Sequence, residues 1–373
     1  MNTHAALDTA HVIIDATEYA AIRAVLDTRD LSGTASVIAD YETALADWFG
    51  TNHAVACSSG TAALHLALLA VNVTSGDEVI VAATAPVMTA MPILAVGATP
   101  VFADTATPTS FALDLDDIAA KVTERTRAVI AVPMWGYPAD GPDLADACHT
   151  WGIPLIEDAA QAHGTIVSGR YAGTRATIGT FSTHNRKLIC TGEGGFCLTT
   201  NPAIARRLSE MRNIGKRPGE SFGATFGLNL KLNAIAAALG LTQLSRLATR
   251  LEHRRATLNA VTEHLAGVRG LRPFPIRADG EPNGYAAVFT TPGQAEPVAL
   301  RLAAAGITSD PMRYGYRPLY HTSALARHAP PTPCRNAEQL AATLLTVPCH
   351  EGVDPPDLET FWGQGGRRPV AAR

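Results

Sequence analysis

Residues 179–200 read GTFSTHNRKLICTGEGGFCLTT, in which Lys187 and a Gly-rich turn lie between two apolar runs. These runs belong to the last two of seven predicted strands: His53–Cys57, Glu78–Ala82, Thr99–Ala103, Ala128–Pro133, Pro154–Glu157, Thr177–Ser182 and Gly195–Thr199. Helical patterns, such as Thr61–Val71 and Leu115–Val122, lie between many of them. This alternation predicts an α/β fold whose mostly parallel sheet is covered by helices on both faces. Ligands bind at the carboxyl ends of such strands, so polar residues there are the first candidates for a site.

The pattern changes after Asn233. A long helix with few breakers is predicted over Ala234–Leu265, and a stretch richer in Pro and Gly follows it. We therefore expect a large domain over residues 30–240 and a smaller α+β C-terminal domain over 241–365, joined by part of residues 1–29. The ending GGRRPVAAR predicts a flexible tail over residues 366–373.

Composition excludes several classes of protein. The chain has 373 residues and a formal net charge of −4, which argues against a nucleic-acid-binding face. Its six cysteines are scattered without a CxxC pair, so neither a disulfide framework nor a zinc or other metal site is expected. The first residues lack the basic start and apolar core of a signal peptide, and a cytoplasmic protein is predicted.

One uncharged stretch, between Glu78 and Asp104, is long enough to span a bilayer. Pro86, Pro92 and Gly97 interrupt it, and strand-like runs occupy its two ends. The stretch therefore predicts a buried strand–helix–strand unit rather than a membrane segment.

Lys187 is one of only four lysines among 30 cationic residues. Burial lowers the pKa of a lysine and can make it a nucleophilic amine, which suits Schiff-base chemistry. An ordinary surface lysine is the alternative that its position alone leaves open.

The segment CSSGTAAL, residues 57–64, is a strand end followed by an apolar helix. Ser58 or Ser59 can cap the helix, and the amides of Gly60 and Thr61 then form a seat for an anion such as phosphate. Ser182, five residues before Lys187, can add a hydroxyl donor. Many helices begin with Ser-Gly-Thr and bind nothing, so this segment is a weak signal alone.

Asp158 follows an apolar strand in PLIEDAAQ, residues 154–161. An unpaired charge at a buried strand end is unfavourable, and a protonated pyridine nitrogen is one partner that would satisfy it. A salt bridge to an arginine is the alternative. A phosphate seat, an acid for a ring nitrogen and an amine for an aldehyde together describe a pocket for pyridoxal 5'-phosphate (PLP).

Several segments resemble, in order and spacing, the DegT/DnrJ/EryC1/StrS family of sugar and aminocyclitol aminotransferases. They are SSGTAALHLALLA, GDEVIV, GATPVFAD, WGYPAD, PLIEDAAQAHG, FSTHNRKLICTGEGG and GLNLKLNAIAAALGLTQL, within about residues 30–250. The resemblance implies the aspartate-aminotransferase fold (fold type I), PLP as cofactor and transfer of an amino group.

The resemblance also assigns roles to residues. Lys187 matches the lysine that forms the Schiff base with PLP, Asp158 the aspartate on the pyridine nitrogen, and Gln161 the residue beside the 3-hydroxyl. The phosphate-binding positions are Gly60, Thr61 and Ser182.

Other assignments concern the dimer and the substrate. Asn229 matches an asparagine that reaches the phosphate of the neighbouring subunit, which implies a homodimer with shared active sites. Tyr314, Tyr320 and His321 fall where the family shapes its substrate pocket.

The sequence departs from the family pattern at two positions. Pro86 stands where an aromatic ring usually packs on the cofactor, so stacking should weaken by roughly 0.5–1.5 kcal/mol. Lys231 stands where an arginine is common; it keeps the positive charge but lacks the forked set of donors of a guanidinium. We expect structural roles for His163, as a helix-side packing contact, and for Glu193, as a turn hydrogen bond.

The predicted reaction moves an amino group from glutamate or glutamine to a keto-sugar or keto-cyclitol, in secondary-metabolite (antibiotic) or surface-sugar biosynthesis. A PLP-dependent dehydratase or lyase, or a non-catalytic PLP-binding regulator, is the alternative on the same fold. An NAD-dependent dehydrogenase is disfavoured because residues 192–195, GEGG, lack the GxGxxG spacing and do not open a helix.

Overall fold

The computed structural model describes residue 8 and residues 12–266, 268, 270–304 and 306–353; the predicted tail lies outside this range. The helices are α1 (Ala16–Thr28), α2 (Ser36–Phe49), α3 (Gly60–Ala70), α4 (Val87–Ala95), α5 (Leu115–Lys121), α6 (Pro142–Trp151), α7 (Pro202–Arg212), α8 (Ala234–Ser245), α9 (Leu247–Ala266), α10 (Glu296–Ala304), α11 (Asp310–Arg313) and α12 (Arg335–Thr343). The strands are β1 (His53–Cys57), β2 (Glu78–Ala82), β3 (Thr99–Ala103), β4 (Thr126–Ala131), β5 (Leu155–Asp158), β6 (Ile166–Val167), β7 (Arg170–Tyr171), β8 (Ile178–Ser182), β9 (Gly195–Thr199), β10 (Arg272–Pro273), β11 (Gly280–Glu281), β12 (Ala287–Thr290) and β13 (Leu344–Val347).

A seven-stranded sheet in the order β1-β9-β8-β5-β4-β2-β3 forms the centre of the molecule. Strand β9 runs antiparallel to both of its neighbours, and the other pairs in the sheet are parallel. The carboxyl ends of β1, β8, β5, β4 and β2 therefore lie along one edge. The predicted mostly parallel α/β sheet is confirmed.

The predicted strands lie where the apolar runs are. Strands β2, β8 and β9 are buried along their whole length, as expected for a sheet covered on both faces. Strand β4 begins and ends two residues earlier than predicted. Pro133, which has no N–H for the strand ladder, lies beyond its end.

The uncharged stretch forms β2, α4 and β3, as predicted. Parallel pairing of β2 with β3 requires a crossover, which α4 provides. Across the residues that the structure describes, no helix combines the length and apolar character needed to cross a bilayer.

The predicted single helix over Ala234–Leu265 is wrong, because the structure ends α8 at Ser245 and begins α9 at Leu247. The hydroxyls of Thr242 and Ser245 donate to the carbonyls of Leu239 and Thr242, both at 2.8 Å. Side-chain donors of this kind compete for carbonyls within the helix and weaken its end.

A separate three-stranded sheet, β10-β12-β13, lies in the C-terminal part. Its strands and α9 enclose a second cluster of buried side chains that includes Leu258, Phe289 and Leu345. The proposed domain boundary at residues 240/241 falls within α8 and stays a prediction.

Candidate active site

A cavity of about 570 Å³ opens at the carboxyl-end edge of the sheet. Residues that follow β1, β2 and β4, together with the ends of β5 and β8, form its floor. The C-terminal part closes over it, since Tyr316 donates its hydroxyl to the carbonyl of Thr84 at 2.9 Å. Seven of the ten predicted site residues line this one cavity: Gly60, Thr61, Asp158, Gln161, Ser182, Lys187 and Tyr314.

The predicted phosphate seat lies at the N-terminus of α3. The side chain of Ser59 caps this helix by accepting the N–H of Ala62 at 3.0 Å. Gly60 lies so close to β8 that a Cβ there would be 2.7 Å from the Cβ of Ser182. A Cβ at Gly195, on β9, would likewise be 2.6 Å from the carbonyl of Ser59. The helix dipole, the first-turn amides and the Ser182 hydroxyl thus meet in a cradle that glycines keep open.

Asp158 is the last residue of β5 and is 5% exposed. The hydroxyl of Thr89, on α4, donates to its Oδ2 at 2.6 Å, and the N–H of Ala160 donates to its Oδ1 at 3.2 Å. Burial raises the pKa of Asp158, while these hydrogen bonds and the nearby Lys187 act in the opposite direction. A cationic ring nitrogen would supply the counter-charge that this buried carboxylate favours.

Lys187 also lines the cavity and lies on the loop between β8 and β9. Its Nζ is 5.4 Å from the centre of the Tyr285 ring. Burial lowers the pKa of Lys187 to about 8, against the opposing charges of Asp158 and Asp310. The lowered pKa increases the fraction of neutral amine near neutral pH, which a nucleophile and proton carrier requires.

Gln161 is oriented by the backbone, since its Oε1 accepts the N–H of Trp135 at 2.7 Å. Trp135 is buried and has a left-handed backbone with φ of 49°, a strained conformation for an aromatic residue. Its indole packs edge-on against Tyr316, with 4.9 Å between the ring centres, and both residues line the cavity, as does Pro86. Distant parts of the chain therefore supply the cavity with the aromatic side chains that the segment around Pro86 lacks.

Asn229 does not line the cavity of its own chain. It is exposed and bridges to Asn213 in the segment before α8. Four apolar side chains of the same segment are more than a third exposed: Ile214, Phe222, Phe226 and Leu228. Its predicted action on a neighbouring subunit is not tested and stays a prediction.

Of the three predicted substrate residues, only Tyr314 lines the cavity. Tyr320 is 6% exposed and donates its hydroxyl to Oε1 of Glu338 at 2.8 Å. His321 Nε2 lies 2.8 Å from the same oxygen. Both side chains thus contact Glu338 on α12, and neither residue lines the cavity.

The structure also places the residues expected to be structural. His163 packs 5.3 Å from the Phe181 ring, but it lies in a turn rather than on a helix. The carbonyl of Glu193 accepts the Thr191 hydroxyl at 3.0 Å, and Glu193 also lines the cavity. Lys231 donates to Oδ1 of Asn213 at 3.0 Å.

Sequence reasoning missed several residues of the cavity. Trp135, Tyr285 and Tyr316 line the cavity, and Thr89 donates to Asp158 from α4; all four are distant in sequence from Lys187. Trp135 begins the segment WGYPAD, but sequence reasoning gave that residue no role in the site. Arg186 could have been found, because it adjoins Lys187 and lines the same cavity.

Comparison with known proteins identifies the family to which the chain belongs. The model of the DegT/DnrJ/EryC1/StrS aminotransferase family matches residues 12–362. The chain belongs to this family. It is 31% identical over 352 residues to GDP-perosamine synthase from Caulobacter vibrioides, covering 93% of this chain and 94% of that protein.

Other relatives of the family support the same activity. L-glutamine:2-deoxy-scyllo-inosose aminotransferase from Streptomyces fradiae is 38% identical over 252 residues, covering 65% of this chain and 59% of that enzyme. The crystal structure of the aminotransferase TlmJ from Streptoalloteichus hindustanus superposes with a TM-score of 0.85 at 29% identity, covering 96% of this chain and 97% of that one. The chain is an aminotransferase of fold type I in a family that depends on PLP.

Proposed function

We propose that this chain binds PLP in the cavity and transfers an amino group from glutamate or glutamine to a keto-sugar or keto-cyclitol. The observation that carries the proposal is that Lys187 and Asp158 line one cavity with the Gly60–Ser182 cradle. The cradle fits a phosphate, the buried carboxylate fits a protonated ring nitrogen, and the amine fits an aldehyde.

When bound, PLP supplies an electron sink for the carbon that gains or loses the amino group. Amides of Gly60 and Thr61 and the Ser182 hydroxyl would hold the phosphate. Asp158, held by Thr89, would keep a proton on the ring nitrogen. Gln161 would bind the ring hydroxyl, and Lys187 Nζ would take and return the proton at the reacting carbon.

The substrate class rests on the cavity and on the relatives. A volume of about 570 Å³ lies in the range of small-molecule sites, and the cavity stays open at Tyr314, which is 56% exposed. Relatives of the chain are named as acting on a nucleotide-linked sugar or on an inosose. Tyr314 is the residue we assign to the acceptor, while Tyr320 and His321 would act on it through the segment they anchor.

Lys187→Ala tests the proposal, with Lys121→Ala as the matched control. Lys121 pairs with Asp117 on α5, and neither residue lines the cavity. After borohydride reduction with PLP, mass spectrometry should find the cofactor on the peptide of Lys187 in the wild type and in the control only. Glutamate or glutamine should change the cofactor absorption in the same two proteins, and nitrogen should appear in the keto acceptor.

Full transamination and unchanged cofactor absorption in Lys187→Ala would refute the assignment. A dehydratase or lyase would release product without passing nitrogen to an acceptor. A regulator would bind PLP with no absorption change on addition of a donor.

The proposal includes a cytoplasmic homodimer in which Asn229 completes the partner's phosphate site. All six cysteines are buried free thiols, as a reducing compartment allows. The exposed apolar side chains beside Asn229 would be covered in the dimer. Mixing Asn229→Ala with Lys187→Ala subunits should restore activity, because one site of the mixed dimer keeps both residues. Action of Asn229 within its own chain predicts no restoration.

A further inference from the structure

Arg186 is the cationic side chain next to Lys187 that the proposed reaction does not yet use. Its guanidinium lines the cavity, and 14% of the side chain is exposed. It holds the carboxylate of Asp8 with two parallel bonds, Nη1 to Oδ2 at 3.0 Å and Nη2 to Oδ1 at 2.6 Å. This is the fork geometry by which arginine recognises a carboxylate.

A second carboxylate also binds the guanidinium of Arg186. Oδ1 of Asp310, whose side chain is 4% exposed, accepts from Nη2 of Arg186 at 3.0 Å. The guanidinium also lies 5.5 Å from the centre of the Tyr314 ring. Asp310 and Tyr314 are neighbours on and beside α11, so this support belongs to the folded C-terminal part.

Asp8 differs from Asp310 in its place in the chain and in its exposure. It precedes α1, and its side chain is 25% exposed. Arg313, on α11, pairs with it as well. Asp8 thus provides a carboxylate between Arg313 and the cavity-lining Arg186, while Asp310 remains as the buried counter-charge.

We propose that Arg186 binds the α-carboxylate of the amino-acid donor, and that Asp8 occupies this position until the donor arrives. The inference rests on the proposed function and names the residue that recognises its donor. A donor carboxylate can replace that of Asp8 with no change in the net charge around Arg186. Such an exchange avoids leaving a cation unpaired in the cavity.

The position of Arg186 favours this ligand over the phosphates of a nucleotide-sugar acceptor. The α-carboxylate is attached to the same carbon as the transferred nitrogen, so it must lie close to Lys187. Phosphates of a nucleotide sugar are separated from the reacting ring carbon by further atoms. A cation adjoining Lys187 therefore matches the donor.

The test compares each donor with its decarboxylated analogue: glutamate with 4-aminobutanoate, and glutamine with 4-aminobutanamide. Apparent dissociation constants come from the absorption of the holoenzyme's cofactor, without an acceptor. Loss of a desolvated arginine–carboxylate pair costs about 2–5 kcal/mol, so wild type should prefer the donor by ~30-fold or more. In Arg186→Met this preference should fall to within about threefold of unity, the loss expected when that pair is removed.

Two further variants sharpen the result. Arg127→Met is the matched control, because Arg127 is an exposed arginine at the amino end of β4, outside the cavity, and should keep the wild-type preference. Asp8→Asn retains the pair between Arg186 and Asp310 and removes the competitor. It should tighten donor binding by about threefold to tenfold, as removal of a competing carboxylate predicts, and leave the analogues unchanged.

Wild-type preference retained in Arg186→Met, or weaker donor binding in Asp8→Asn, would overturn the inference. A raised KM for the keto acceptor with an unchanged donor constant would assign Arg186 to the acceptor instead and overturn it too. A wild-type holoenzyme whose absorption responds to no amino acid would refute the proposed function, and with it this inference.

Discussion

The hydrogen bond from Thr89 to Asp158 should decide how firmly the cofactor is held. Thr89→Val keeps the shape of the side chain and removes the donor. The bond is short, at 2.6 Å, and both residues are buried, so no solvent water replaces it. Hydrogen bonds to charged groups contribute about 1.5–3 kcal/mol, which corresponds to a loss of roughly tenfold to a hundredfold in PLP affinity.

The same change should alter the pH dependence. The Thr89 hydroxyl favours the ionised form of Asp158, so its loss raises the pKa of that carboxyl further. A protonated Asp158 no longer favours a proton on the ring nitrogen. The acid limb of activity at saturating PLP should therefore move to higher pH in Thr89→Val.

PLP titration followed by absorption, and pH–rate profiles of the loaded enzyme, measure these effects. Thr123→Val is the matched control, because the Thr123 hydroxyl donates to the carboxylate of Glu78 at 2.5 Å, outside the cavity-lining residues. It should lower stability without changing PLP affinity or the profile. Equal PLP affinity and an unmoved acid limb in Thr89→Val would refute the role assigned to this bond.

Three more predictions follow from the packing. In Gly60→Ala the new methyl group fills the cradle and should weaken the thermal stabilisation that PLP gives. Gly293→Ala, where no heavy atom lies within 4 Å of the new Cβ, should leave that stabilisation unchanged. Glu351 pairs with two buried arginines of α9 that lower its pKa to about 2 against the effect of burial. The stabilisation by Glu351 is complete above the ordinary glutamate pKa and is lost as pH falls towards 2. Glu351→Gln should therefore lower the free energy of unfolding at neutral pH, measured by urea titration, by about 3–5 kcal/mol and flatten its dependence on acid pH. Tyr320→Phe should lower stability by about 1 kcal/mol with little change in the acceptor KM, whereas Tyr314→Ala should raise that KM; the reverse pattern in steady-state kinetics would restore Tyr320 to the substrate pocket.

The sheet could be predicted from sequence because each strand is an apolar run bounded by helical patterns. Asp158 was found because a charged residue at the end of a buried strand stands out. Lys187 was found because it is one of only four lysines and lies between two apolar runs. Their meeting in one cavity follows from parallel strands, whose carboxyl ends share an edge.

The rest of the site depends on contacts that local sequence does not encode. Trp135 and Tyr316 are 181 residues apart and meet only when the C-terminal part closes over the cavity. A tyrosine at position 320 suits a substrate pocket, but whether Tyr320 faces the cavity or α12 depends on that tertiary packing. The break between α8 and α9 was missed because the hydroxyls of Thr242 and Ser245 act within a pattern that is otherwise helical.

The place of β9 between β8 and β1 sets an order for events during synthesis of the chain. Strand β1 lies at the edge of the sheet and joins it through β9, although β9 is the last strand of that sheet to leave the ribosome. Until residue 199 has emerged, the segment after β1 and the end of β8 have no strand to bridge them. We therefore expect the cradle for the proposed cofactor to form only after β9 has paired with both β8 and β1.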